Sequence, residues 1–448
     1  NKIQQMPKTI NFASFTNKTL SIMGYYKFYN LIFAALFCAF ISCSNDPVSN
    51  NGDKTNTLKQ TAEDVSLSLN EDLYNSFSSN ITRTDLDEED SYPTYFGGSY
   101  TSSKDSLVIF VKGMNKNGIS DIYERIGKHP NLFFKSCTYS LNELNELKEY
   151  LDKYYFGNPT LRKRINWIST GINIEKNKIV VFLGTLSDKC ITDFKKSIID
   201  SPMITFEEMQ LEEDLSYILA DTIPSSNNTT RTTSSKTNIF LGSEFSCTYK
   251  NTTATGSVGF RATLGNDHGF ITAAHCLPIT GLSVYYKSKL CGTSSKTTLG
   301  PNAEAAFVKV NYALFYPTNV TQWTKSNMDR SNVFANSSLT NRNVTLEGAT
   351  TKKAIEAKVT TINVSFEKIV KTVAGTYTVS LKKMVYAKLS NQSTSALPQS
   401  GDSGGIIYDK NTKRVCGELF GKGIMGGENY ILFSSAELAL NALGAKLY

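Results

Sequence analysis

Histidine is scarce in this chain: three in 448 residues, at His129, His268 and His275. No Cys-x-x-Cys spacing occurs either, so neither a zinc site nor any other metal centre is expected, and no motif calls for a cofactor. A basic run is missing. The net charge of +7, from 47 Lys and Arg against 40 Asp and Glu, is spread along the chain and argues against nucleic acid as a partner. The apolar run Leu31–Ile41 is too short to span a bilayer comfortably as a helix. What is present is ordinary for a folded protein, with 40% hydrophobic and 19% charged residues. The length implies two or three domains.

The short apolar run does fit the hydrophobic region of a signal peptide, with Lys27 just before it. It ends in Phe40-Ile41-Ser42-Cys43 and gives way to a polar stretch. This resembles a bacterial lipoprotein signal, although leucine is usual where Phe40 stands. The resemblance implies lipidation of Cys43, an exported, membrane-anchored precursor, and a periplasmic, cell-surface or extracellular location for the chain beyond Cys43. Met23 is the expected start. Export permits disulfides, and the six remaining cysteines (Cys137, Cys190, Cys247, Cys276, Cys291 and Cys416) allow fifteen pairings.

Composition divides the chain into five segments. Residues 1–43 are upstream sequence and signal, and 44–90 a polar leader with one short helix around Thr61–Ser78. Residues 91–220 contain an internal echo. Tyr95–Lys112 and Trp167–Leu183 each read as strand, polar turn, strand, and each is followed by helical spacing. A capping box at Ser140 and Glu143 opens one of these helices. This predicts an α+β domain. Residues 221–236 (DTIPSSNN…) form a Ser/Thr/Asn linker open to proteolysis. From 237 to 448, short runs rich in Val, Ile, Thr, Tyr and Phe alternate with Gly, Asn and Ser turns, which predicts an all-β barrel or sandwich, with a helix near Ser434–Leu443.

The β-rich segment holds two strings of chemical interest. Gly401-Asp402-Ser403-Gly404-Gly405 can present a serine hydroxyl beside the N–H groups of Gly401 and Ser403. A serine is a weak nucleophile near neutral pH, so it needs a base at its hydroxyl and donors opposite the developing oxyanion. Ile271-Thr272-Ala273-Ala274-His275-Cys276 supplies such a base at the end of an apolar, β-rich run. His268 and His129 lie in polar, turn-like contexts and are read as surface residues.

Together these residues resemble the chymotrypsin-fold bacterial secreted serine proteases of the streptogrisin and α-lytic type, over the whole of 237–448. Residues 91–220 resemble that family's pro-region more loosely. The resemblance implies two six-stranded antiparallel β-barrels behind an α+β pro-domain that chaperones and inhibits. It implies an endopeptidase zymogen acting on polypeptides. His275, Ser403 and an acid would form a triad, with Gly401 and Ser403 as the oxyanion hole. The acid falls on Glu304, a glutamate where the family has aspartate, with Asp329 as the other choice. Its added methylene shifts the carboxylate by about 1.5 Å unless the backbone retreats. Leu419, Phe420 and Gly421 would line an apolar substrate pocket, with Glu418 and Leu419 on opposite faces. Asp402 would pair with a cation, either an internal Lys or Arg or a new amine at Thr237. Cys276 would be bridged, to Cys291 or Cys247, because glycine (Gly256) occupies the family's partner position. Cys416 lacks its usual mate, and Cys137–Cys190 is a further candidate. The substitutions at Glu304 and Phe420 leave open a protease-fold surface lipoprotein that only binds.

Overall fold

The computed structural model describes residues 62–78, 92–102, 104–211, 236–250 and 252–448. The signal, Cys43, most of the polar leader and most of the linker lie outside the described residues. Among the described residues no helix is long and apolar enough to cross a membrane.

The first half is α+β. Helix α1 (Ala62–Ser78) precedes strands β1 (Phe96–Thr101) and β2 (Leu107–Lys112), helix α2 (Lys116–Ile126) and strand β3 (Leu132–Cys137). After α3 (Leu141–Gly157) and α4 (Pro159–Arg164) the pattern repeats as β4 (Trp167–Asn173), β5 (Lys178–Leu183), α5 (Asp188–Ser197) and β6 (Ile204–Leu211). In each unit an antiparallel hairpin is followed by a helix and a parallel third strand. That is the echo seen in the sequence. The Ser140–Glu143 capping box forms and fixes the start of α3, satisfying amide groups the first turn leaves open. Leu141, Leu144, Leu147, Leu151 and Tyr155 bury one face of that helix.

The second half is a pair of β-barrels. The first is built from β8 (Glu244–Tyr249), β9 (Thr252–Ser257), β10 (Arg261–Leu264), β11 (Asp267–Thr272), β12 (Ser283–Tyr286), β13 (Lys289–Leu299) and β14 (Glu304–Val310). β9 runs on into β10, so the two ends of this sheet meet. A short parallel pair, β7 (Thr237–Leu241) and β15 (Phe315–Thr321), stands beside it. The second barrel contains β16 (Asn343–Glu347), β17 (Ala354–Thr372), β18 (Gly375–Leu389), β19 (Ile406–Asp409), β20 (Val415–Met425) and β21 (Glu428–Ser435), and a β16–β17 pairing closes it. Helix α6 (Ala436–Leu443) and strand β22 (Lys446–Leu447) end the chain. Ser434 remains in the strand and the helix begins after Ser435.

The two halves share one sheet. β4 pairs with β17 at Ile362–Phe366, and β6 pairs with β20 at Gly423–Met425. Val180, Phe182 and Met209 from the first half bury themselves with Val364, Phe366, Phe420 and Met425 from the second. Beneath them Lys148 donates to both oxygens of Asp152 (2.7 and 2.8 Å) and to the hydroxyl of Ser365 on β17. Arg162 pairs with Glu367 on the same strand.

Candidate active site

Strand β11 ends at Thr272, and a one-turn 3-10 helix over Ala274–Cys276 carries His275. Thr272 is opposite Ala306 of β14, so the first residue of β14, Glu304, comes level with that turn. The Glu304 carboxylate accepts from the His275 main-chain N–H and lies 3.1 Å from ring Nδ1. The strand is held there by the Glu304 N–H, which donates to Ser434 Oγ at 3.1 Å. Glutamate therefore reaches the histidine, and one oxygen serves both its main chain and its ring. Both residues are buried. Burial works against a charged imidazole, but the Glu304 carboxylate and the adjoining Cys276 outweigh it and hold the His275 pKa well above an ordinary histidine. Ring Nε2 has no hydrogen-bond partner.

Ser403 packs directly on this turn. Its carbonyl accepts from Ser257 N–H (2.8 Å) and faces Cys276 Sγ at 3.9 Å. Gly401 and Gly404 adopt φ of 94° and 80°, values that favour glycine. At Gly404 a Cβ would collide with Thr272 Oγ1 and the main chain of Ser257 and Ala273. Asp402 departs from the expected cation pairing. Its carboxylate accepts from the N–H groups of Thr350 (2.8 Å), Thr351 (2.9 Å) and Gln399 (2.8 Å), and from the Thr351 hydroxyl. The serine loop is thus braced by neutral donors.

The proposed pocket residues part company. Leu419 is buried in the core with Phe433 and Ile407, while Gly421 has open space where a Cβ would stand. The Phe420 ring meets the His275 ring edge-on at 5.5 Å and packs on Phe366 at the same distance. Glu418 is opposite Ser434, the residue that holds Glu304, so its side chain lies on the Glu304 face. Asp329 accepts from Ser331 in its own turn and has no bond to His275. His268 is a half-buried strand residue stacked on Tyr312 at 4.1 Å, which corrects its reading as a surface turn. His129 accepts from Asn131 N–H within its own turn.

None of the anticipated disulfides forms: Cys137, Cys190, Cys247, Cys276, Cys291 and Cys416 are all free thiols. Where a partner for Cys276 would stand there is Gly256, whose Cβ would fall 2.8 Å from Cys276 Sγ. Cys247 Sγ points at the Cys276 carbonyl (3.3 Å), and Cys416 Sγ at Arg414 O (3.8 Å). Burial pushes the Cys247 and Cys291 thiols up to about 12, which withholds the thiolate that disulfide exchange needs.

Residues 54–137 match the model of the Pro-like N-terminal domain, and residues 142–209 that of the Pro-like C-terminal domain. The chain carries these two Pro-like domains in its first half. Behind them, the histidine turn stands on one β-barrel and the serine loop on the other. No curated protein matches the chain. Similar solved structures include Thermobifida fusca protease A, at 21% identity over 47% of this chain and 98% of its own, with a TM-score of 0.35. Cellulomonas bogoriensis chymotrypsin is 20% identical over 47% and 98%, also at 0.35. A glutamic acid-specific serine protease is 23% identical over 47% and 100%, again at 0.35.

Proposed function

We propose that residues 237–448 are a serine endopeptidase, held inactive by the Pro-like domains until the linker is cut. The observation that carries this reading is the Glu304–His275 pair packed against the Ser403 loop. Ser403 Oγ would attack the scissile carbonyl as His275 Nε2 takes its proton, and His275 would return that proton to the leaving amine. Glu304 would hold the imidazole and stabilise its charged form. The N–H groups of Gly401 and Ser403 would receive the oxyanion. Peptides bind such sites as an added strand, and β6 already adds a strand to β20 close to Gly421. That pairing supports inhibition by the pro-region. An apolar cleavage preference, and export with lipid on Cys43, belong to the same proposal.

A serine-directed fluorophosphonate tests it. The processed chain should be labelled, and Ser403→Ala should lose the label without losing stability. N-terminal sequencing should place the cut near Lys236–Thr237, and a product that keeps Cys43 joined to Ser403 contradicts processing. The unpartnered Nε2 and the Phe420 ring against His275 favour the second reading, a fold kept for binding; absence of label on processed protein would establish it.

A further inference from the structure

The second barrel contains a carboxyl that the proposed chemistry does not use. Other buried carboxylates here are well supplied with donors. Asp402 has four, and Glu347 accepts from the N–H groups of Trp323 and Thr324 and the hydroxyls of Thr324 and Tyr408. Glu418 is 1% exposed, and neither of its oxygens has a hydrogen-bond partner. Its cross-strand neighbour Ser434 exchanges hydrogen bonds with the Glu304 main chain, so Glu418 and Glu304 belong to one buried cluster. Glu304 Oε2 is unpartnered too.

A bare carboxylate in a dry core is far too costly to persist, and such a group keeps its proton instead. Two carboxyls in one dry site settle into sharing a proton, since both cannot be charged. We propose that Glu418 is a positioning residue for Glu304: it stays protonated, so that the pair carries one negative charge and Glu304 presents that charge to His275.

The surrounding groups agree. β14 contributes Glu304, and the histidine turn contributes His275 and Cys276. β21 and β18 bring Ser434 and Met384, whose sulfur is 3.5 Å from the Ser434 hydroxyl. Ile406 of β19 is opposite Glu418. On β20 itself, the Cys416 thiol sits beside Asp409 and Arg342, while Lys368 of β17 lies over the Phe420 ring at 5.7 Å. Glu437 of α6 accepts from Asn336 N–H. Desolvation first, and the Glu304 charge second, push the Glu418 carboxyl well above its usual range.

The consequence for catalysis rests on the proposed protease reading; the protonation state does not. Infrared difference spectra of the full chain at pH 7, wild type against Glu418→Gln, should show the carbonyl stretch of a protonated carboxylic acid in the wild type alone. No such band would mean an ionised Glu418 and would overturn the proposal, whether or not Ser403 reacts. In processed protein, Glu418→Gln, which keeps a donor, should label at Ser403 within about twofold of wild type. Glu418→Leu, which removes it, should label at least tenfold more slowly across pH 6–9. Equal rates for Leu and wild type would show a mere core filler and also overturn it.

Discussion

Replacing Glu304 tests the site at its most constrained point. The carboxylate supports a buried main-chain N–H and a buried ring nitrogen of the same residue. In Glu304→Ala both donors lose their partner. An unmade buried hydrogen bond costs about 1–3 kcal/mol, and a bond to a charged group contributes about 1.5–3. The expected loss is therefore about 2.5–6 kcal/mol at pH 6. The loss must also depend on pH. A histidine whose folded pKa is raised lends stability that is complete below the unfolded value of about 6.5, and is lost as pH rises through the folded value. In that window the wild type should lose about 1.4 kcal/mol per pH unit from this one proton. Glu304→Gln, which keeps an acceptor but no charge, should lack that slope. Urea unfolding of Ser403→Ala chains, with and without the Glu304 change, at half-unit steps from pH 6 to 9, measures both. Parallel pH profiles for Glu304→Gln and its parent would refute the ion-pair account. The same linkage means that fluorophosphonate labelling should accelerate as pH rises and His275 gives up its proton.

The packing sets three further outcomes. Lys148→Met should cost about 3–5 kcal/mol because it strands Asp152 in the core, whereas Lys148→Met with Asp152→Leu should cost far less; a double-mutant cycle in urea reads the coupling, and additivity would contradict it. Gly404→Ala should lower the thermal midpoint sharply, while Gly421→Ala should stay within about 0.5 kcal/mol of wild type. Asp402→Ala strands three main-chain N–H groups and should abolish labelling together with stability, and Asp402→Asn should retain part of both.

The local elements were legible because their signals are local. Alternation over Tyr95–Lys112 and Trp167–Leu183, and the Ser140–Glu143 box, depend on neighbours in the chain, and each marks an element in the structure. Glu304 could be singled out only through its resemblance to a known pattern. The rest depended on long-range register. No periodicity announces that β4 joins β17, some 190 residues away, or that β6 joins β20. The four donors on Asp402 come from Gln399 nearby and from a turn about fifty residues upstream, which the resemblance, with its cation partner, did not foretell. Strand alternation separated Glu418 from Leu419 without saying which face each took. The expected bridges are absent among the described residues because the presence of six cysteines does not by itself create bridging geometry.

The shared sheet would have a consequence if the first half departed, as the proposed processing requires. β17 would keep its bonds to β18 but lose its partner on the other edge along Ile362–Phe366, and β20 would keep β21 but lose its partner on the other edge at Gly423–Met425. Unpaired strand edges accept whatever strand arrives, including one from an identical molecule. Beside them Val364, Phe366 and Met425 would meet water for the first time. Glu367, Lys368 and Lys371 directly follow the freed stretch of β17, and charges of that kind discourage edge-to-edge assembly. The freed half is thus left with a border that must stay open to a visiting strand and closed to its own copies.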